Sequence, residues 1–166
     1  DLEGITTDGE GGFWLASEGR TGRMIPHGIY RVNKKGEIKE SIAFPPALLA
    51  VEKRFGSEGI TKIGDTLWIA IQREWKDDKK GEVKLVSYNT KSKEWGAVRY
   101  PTDIAEAKQG WVGLSEITAY GDHVYIVERD NQIGNNALIK RLYKVAISEL
   151  RPGELGGELP MVKKEL

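Results

Sequence analysis

Short runs of alternating apolar and polar side chains, each closed by a turn, organise this chain. Ile29 and Arg31 alternate with Tyr30 and Val32, and Lys84 and Ser87 flank Leu85 and Val86. A period of two is the mark of a strand. Turn formers separate the runs: Asp8-Gly9, Asn33-Lys34-Lys35-Gly36, Gly64-Asp65 and Gly121-Asp122. The pattern predicts strands over 3–7, 13–18, 28–33 and 37–43, then 58–63, 66–72, 83–89 and 94–100, then 115–120, 123–129, 139–147 and a weaker 159–164. Only 45–54, entered through Pro45-Pro46, and 102–109 read as helix-like.

The runs repeat. Glu3-Gly4-Ile5-Thr6 leads to Phe13-Trp14-Leu15-Ala16-Ser17-Glu18, Glu58-Gly59-Ile60-Thr61 to Leu67-Trp68-Ile69-Ala70-Ile71-Gln72, and Ser115-Glu116-Ile117-Thr118 to Val124-Tyr125-Ile126-Val127-Glu128-Arg129. Four short antiparallel strands recurring roughly every 55 residues are the signature of a β-propeller blade. The expected fold is all-β, a β-propeller portion of three four-stranded antiparallel blades: 1–50, 51–108 and 109–166. The alternative is an antiparallel sandwich whose hairpins share the same turn grammar. Propellers close with about four to eight blades. Three are therefore expected to belong to a larger ring of six or so, completed by the remaining blades of a longer chain or by a second copy.

Composition narrows the classes. Lys+Arg and Asp+Glu are each 25 in 166 residues, so the formal net charge is zero, which excludes nucleic-acid binding through a dominant basic surface. No run approaches the ~18 apolar residues of a membrane span. Absence of cysteine removes disulfides, thiolate metal sites and Cys nucleophiles. The opening Asp1-Leu2-Glu3-Gly4 shows no signal peptide and no Met, as expected of a processed chain, an excised segment or a longer protein whose front is missing. No Gly-x-Ser-x-Gly elbow, phosphate loop or dinucleotide fingerprint is present.

Asp1-Leu2-Glu3-Gly4-Ile5, Gly12-Phe13-Trp14-Leu15-Ala16-Ser17-Glu18, Arg54-Phe55-Gly56-Ser57-Glu58-Gly59-Ile60 and Leu114-Ser115-Glu116-Ile117, running on to Ile126-Val127-Glu128-Arg129-Asp130, resemble the phytase-like domain, the "esterase-like activity of phytase" family. The resemblance runs through nearly the whole chain. It implies a propeller, a loose link to phosphate-ester or carboxyl-ester hydrolysis, and a periplasmic or extracellular location. The Glu-Gly strand openings also resemble hairpins of calcium-dependent β-propeller phytases and of six-bladed sugar-lactone hydrolases, the latter placing that Glu on a divalent metal.

In a blade, the start of the innermost strand and the end of the second lie on one rim of the channel. Glu3, Glu18 and Glu58 therefore form a candidate site for Ca²⁺ or Mg²⁺, because clustered carboxylates repel unless a cation sits among them. The same residues could instead cap backbone N–H groups or pair with arginines. The position of Glu18 is taken by Gln72 and Arg129 in the other units, so the rim is mixed in charge. Arg54 and Arg129, with Arg20, Arg23 or Arg73 from rim loops, could hold a phosphate or carboxylate, or else brace neighbouring blades. Glu128, His27 and Trp111 complete the candidate anion- and substrate-binding set. Trp14, Trp68 and Tyr125 share one repeat position and are expected between blades. Lys76-Asp77-Asp78-Lys79-Lys80 reads as a solvated charge run. Two functions follow: divalent-metal-assisted hydrolysis of a phosphate ester, lactone or carboxyl ester at the channel mouth, or a non-catalytic propeller binding a protein, glycan or small-molecule ligand.

Overall fold

A computed structural model describes residues 1–20, 23–106 and 109–166. Its strands form three antiparallel sheets in chain order. The first holds β1 (Leu2–Thr7), β2 (Phe13–Ser17), β3 (Gly28–Val32) and β4 (Ile38–Ala43). After helix α1 (Pro46–Leu49), the second holds β5 (Ser57–Ile63), β6 (Thr66–Ile71), β7 (Glu82–Asn89) and β8 (Trp95–Pro101). The third holds β9 (Val112–Tyr120), β10 (His123–Asp130) and β11 (Lys140–Ala146). Each sheet is a meander, as alternation and turn chemistry lead one to expect. Gly64 and Gly121 turn β5 into β6 and β9 into β10 with φ of 57° and 60°, a conformation glycine adopts without a Cβ clash.

The innermost strands stand side by side, β1 against β5 and β5 against β9. The repeated glycine makes this possible. A Cβ on Gly4 would lie 2.9 Å from the Ile60 nitrogen, and one on Gly59 would lie 2.6 Å from both Glu116 Oε1 and the Ile117 nitrogen. Two apolar cores then fill the spaces between sheets. Trp14, Ala16 and Ile29 of the first sheet pack with Ile60, Leu67, Ile69 and Ile71 of the second. Trp68, Ala70, Leu85 and Tyr100 on the other face of the second sheet pack with Leu114, Ile117, Val124 and Ile126 of the third. Trp14 and Trp68 therefore do lie between sheets, each 3% exposed. Tyr125, their equivalent, is only half-buried, because it faces outward from the third sheet.

This is a propeller-like succession of sheets, and the described residues do not close a ring. Positions buried in the middle sheet are open at the ends: Ile5, equivalent to buried Ile60, is 60% exposed, and Leu142, equivalent to Leu85, is 55% exposed. Two expectations are corrected. The third sheet has three strands, because 159–164 does not pair as a fourth. The C-terminal segment instead crosses two outer edges, bridging Arg99 on β8 through Met161 and Lys144 on β11 through Glu165. The helix-like 102–109 is not helical over 102–106, and Ala107 and Lys108 lie outside the described residues. Among the described residues no helix is long and apolar enough to cross a membrane.

Candidate functional site

A bulge recurs at one position of every inner strand. Pairing skips Glu3 between Leu2 and Gly4, Glu58 between Ser57 and Gly59, and Ser115 between Leu114 and Glu116. A bulged residue leaves the ladder and its side chain is re-aimed. Facing this column, just at or beyond the end of each second strand, are Glu18, Gln72 and Arg129. Gln72 Nε2 donates to Glu58 Oε1 at 2.5 Å, and Arg129 Nε donates to Ser115 Oγ at 2.7 Å. In the first sheet both positions are glutamate and cannot pair in this way. Glu18 reaches to the segment leading into β5 instead, where its Oε1 accepts from the N–H groups of Phe55 at 2.7 Å and Gly56 at 3.1 Å.

The charges of three sheets meet here. Glu58 is pushed up to about 7, first by burial, then by the negative charge of Glu3, with Glu18 adding and Arg129 opposing. Such a carboxyl exchanges its proton near neutrality, a property concentrated at functional sites.

Beside the carboxylates lies an arginine–aromatic stack. The rings of Phe55 and Trp111 are 5.5 Å apart. Arg54 and Arg73 sit over Phe55 at 5.1 and 5.2 Å, and Arg73 and Arg129 over Trp111 at 4.5 and 5.7 Å. Phe55 holds a φ of 71°, rare for an aromatic residue, and the Glu18 carboxylate on its N–H helps fix it there. Trp111 is anchored through its backbone N–H, which donates to Asn131 Oδ1 at 3.0 Å. Among the described residues Arg54 and Arg129 have no carboxylate within ion-pair distance, and the closest to Arg73 is Glu74 at 4.0 Å. The Arg73 Nε is buried without a hydrogen-bond partner. Guanidinium groups stacked on rings keep their N–H edges for anion oxygens.

The structure thus brings together Glu3, Glu18, Glu58, Arg54, Arg129 and Trp111, with Arg73 as the rim arginine that joins them. His27 and Glu128 lie elsewhere. His27 is 1% exposed, accepts the Gly19 N–H on Nδ1 and faces Glu52 at 3.4 Å. Burial lowers its pKa, and its ring sits against Trp75 and Phe44. A Cβ on Gly56 would overlap that ring, so His27 acts as a wedge behind the mouth. Glu128 is fully buried and accepts from Tyr100 Oη at 2.7 Å, the Asp103 N–H at 2.9 Å and Lys164 Nζ at 2.5 Å. It clamps the third sheet to the second and to the C-terminal segment.

A Ca²⁺ or Mg²⁺ would need several convergent oxygens. Among the described residues no group of three or more His, Asp or Glu side chains could hold a metal ion. Glu18 is committed to two amides, Glu58 to Gln72, and Arg129 stands among them. These residues by themselves do not make a cation cage. Gln72 and Phe55 escaped sequence reasoning as site residues; the repeat alignment placed Gln72 in the right column, but nothing in the alternation marked its partner.

The family model for the phytase-like domain, described as esterase-like activity of phytase, matches residues 1–166. No curated protein and no solved structure matches the chain. With the match spanning every sheet and the whole rim just described, the chain belongs to the phytase-like family.

Proposed function

We propose that this mouth binds an anionic ester and hydrolyses it, the class being a phosphate ester, lactone or carboxyl ester. The observation that carries the reading is the three guanidinium groups held over Phe55 and Trp111 beside a carboxyl that exchanges its proton near neutrality. Arg54, Arg73 and Arg129 hold the anionic oxygens and stabilise charge developing on them. Glu58, ionised, takes a proton from the attacking water as the water oxygen bonds to phosphorus or carbon. It returns that proton to the leaving oxygen as the ester bond breaks. Gln72 orients Glu58 through its amide. No step is routed through a cation. A metal-assisted version would need oxygen donors from further blades, which the open end faces could receive from a longer chain or a second copy.

The test is turnover of p-nitrophenyl phosphate and p-nitrophenyl acetate by the protein, Glu58→Gln and Arg129→Ala, each with and without added Ca²⁺, alongside calorimetric titration of Ca²⁺ into the protein and Glu3→Gln. Expected are a hundredfold or greater loss in kcat for Glu58→Gln and a raised KM for Arg129→Ala. Anion binding without turnover would make the mouth a binding site only. Calcium binding abolished by Glu3→Gln would restore the metal-assisted version.

A further inference from the structure

His27, just before β3, is 1% exposed, and its ring nitrogens face two different segments of the chain. Nδ1 accepts the N–H of Gly19, which follows β2, at 3.2 Å. An imidazole nitrogen that accepts carries no hydrogen, so the proton of the neutral ring sits on Nε2. The Lys53 backbone hydrogen-bonds the ring, and the Glu52 carboxylate lies 3.4 Å from Nε2, both in the segment leading into β5. Glycine is required on both sides. A Cβ on Gly19 would lie 2.4 Å from the His27 backbone nitrogen, and one on Gly56 would lie 2.1 Å from the ring carbon Cε1. Phe44 and Trp75 close the ring in at 6.0 and 5.3 Å.

The same two segments carry the clasp that sets the mouth. Glu18 adjoins Gly19, and its carboxylate holds the N–H groups of Phe55 and Gly56. Phe55 in turn is the ring under Arg54 and Arg73. Two ties therefore join the same pieces of chain, and Gly56 belongs to both. A second proton on His27 has only Nδ1 to go to. It would set one N–H against another at the 3.2 Å contact with Gly19, and a buried donor stripped of its acceptor is costly. The Gly19 peptide then has to turn away, and Glu18 is bonded directly to it.

Charges reach the ring from several elements. Burial lowers its pKa below the ordinary 6.5; the Glu52 and Glu18 carboxylates oppose that, and the amino group of Asp1 reinforces it. Lys84 stands over the neighbouring Trp75 ring at 5.7 Å. The folded protein holds this proton less tightly than the unfolded chain does. The neutral ring with both ties made is the form above pH 6.5, and it is lost as pH falls through the lowered value.

We propose that His27 is a positioning residue for the mouth and an acid-sensitive latch on it: a proton on Nδ1 releases Gly19, loosens the Glu18 clasp on Phe55 and Gly56, and lowers the affinity of the mouth for anions. The proposal rests on the reading of the mouth as an anion site and adds its regulation. Its sign sets it apart. By Coulomb's law alone, a new positive charge at His27 and protonated carboxylates around it would tighten anion binding in acid; the latch weakens it.

The test follows the ring, the clasp and the binding in parallel from about pH 7.5 down to acid unfolding, across the range where histidine titrates. The chain has two histidines, His27 and His123, so long-range ¹⁵N–¹H correlation spectra of the imidazoles are assigned with His123→Asn alone. Expected are a hydrogen on Nε2 of His27 at neutral pH, a midpoint below 6.5, and Gly19, Phe55 and Gly56 amide signals that move with that midpoint. Sulfate, whose charge stays constant over the range, is titrated calorimetrically into Glu58→Gln, which removes the titration of Glu58 itself. Its affinity should fall about fivefold or more through the His27 midpoint. In Glu58→Gln/His27→Gln, which has no imidazole there, that fall should be absent; the ring and amide signals of the unaltered protein decide the matter if this variant does not fold. A hydrogen on Nδ1 at neutral pH, a ring that never titrates before unfolding, or a titrating ring with still Phe55 and Gly56 amides would overturn the latch. Sulfate affinity that rises or stays level through the midpoint would overturn it too, while leaving the mouth an anion site. No sulfate binding at any pH would overturn the reading of the mouth and, with it, the regulation of anion affinity.

Discussion

Glu58→Gln tests the electrostatics of the mouth without reference to any substrate. The ordinary value of 4.5 rises to about 7 on folding. The folded protein therefore holds the Glu58 proton more tightly than the unfolded chain does. By linkage, stability falls as pH climbs from about 4.5 to about 7, and levels off above that. Each pH unit corresponds to about 1.4 kcal/mol, so a dry site would lose about 3 kcal/mol. Glu58 is only half-buried, and solvent screening reduces this to about 1–2 kcal/mol. Glutamine keeps the shape and still accepts the Gln72 N–H, but never ionises. Urea denaturation at about pH 5 should find protein and variant equally stable, whereas at about pH 8 the variant should be more stable by about 1–2 kcal/mol. A difference independent of pH, or a variant less stable at the higher pH, would show that Glu58 ionises as an ordinary surface carboxylate and would remove the physical basis for its acid–base role.

Three further substitutions probe the frame around the mouth. Gly59→Ala puts a Cβ 2.6 Å from Glu116 Oε1 and the Ile117 nitrogen and should cost about 2 kcal/mol by chemical denaturation, against about 1 kcal/mol for Gly9→Ala, where φ is 82° and the space is open. Glu128→Ala strips a fully buried acceptor from Tyr100, Asp103 and Lys164. It should cost about 3 kcal/mol and raise amide exchange in the C-terminal segment. Glu18→Ala leaves the Phe55 and Gly56 N–H groups without their acceptor, at about 1–2 kcal/mol. It should also weaken orthophosphate binding, because Phe55 loses the contact that sets its ring under Arg54 and Arg73.

How much could be read beforehand differs from residue to residue. The Glu-Gly-Ile-Thr repeat was legible because each of its letters answers a local demand of an inner strand. Glycine lets two backbones approach, and the Ile5 position faces a core wherever a neighbouring sheet exists. The column of Glu3 and Glu58 was legible for the same reason, and so was its equivalence to Ser115. That the column is a bulge was not, since a bulge is a property of pairing between strands. His27 and Glu128 were misplaced because a polar residue near a rim in sequence reads the same whether it faces the channel or the space between sheets. The segment 159–164 has strand composition, yet its bridge is to β8 of the second sheet through Met161, and only Glu165 beyond it reaches the third.

The period of the repeat, the antiparallel meander and the family were determined by the sequence alone, because alternation, turn residues and repeated letters are local properties of the chain. Only the tertiary structure decided which charges face one another. The Phe55 and Trp111 rings meet from segments that lead into separate sheets, and Arg73 lies over both. Asp78 folds under to Lys84 and Arg99, while Asp77, itself exposed, reaches the same Lys84, so a run balanced along the chain is not balanced in space. Coulombic interaction depends on distance and burial, and neither is written along the chain.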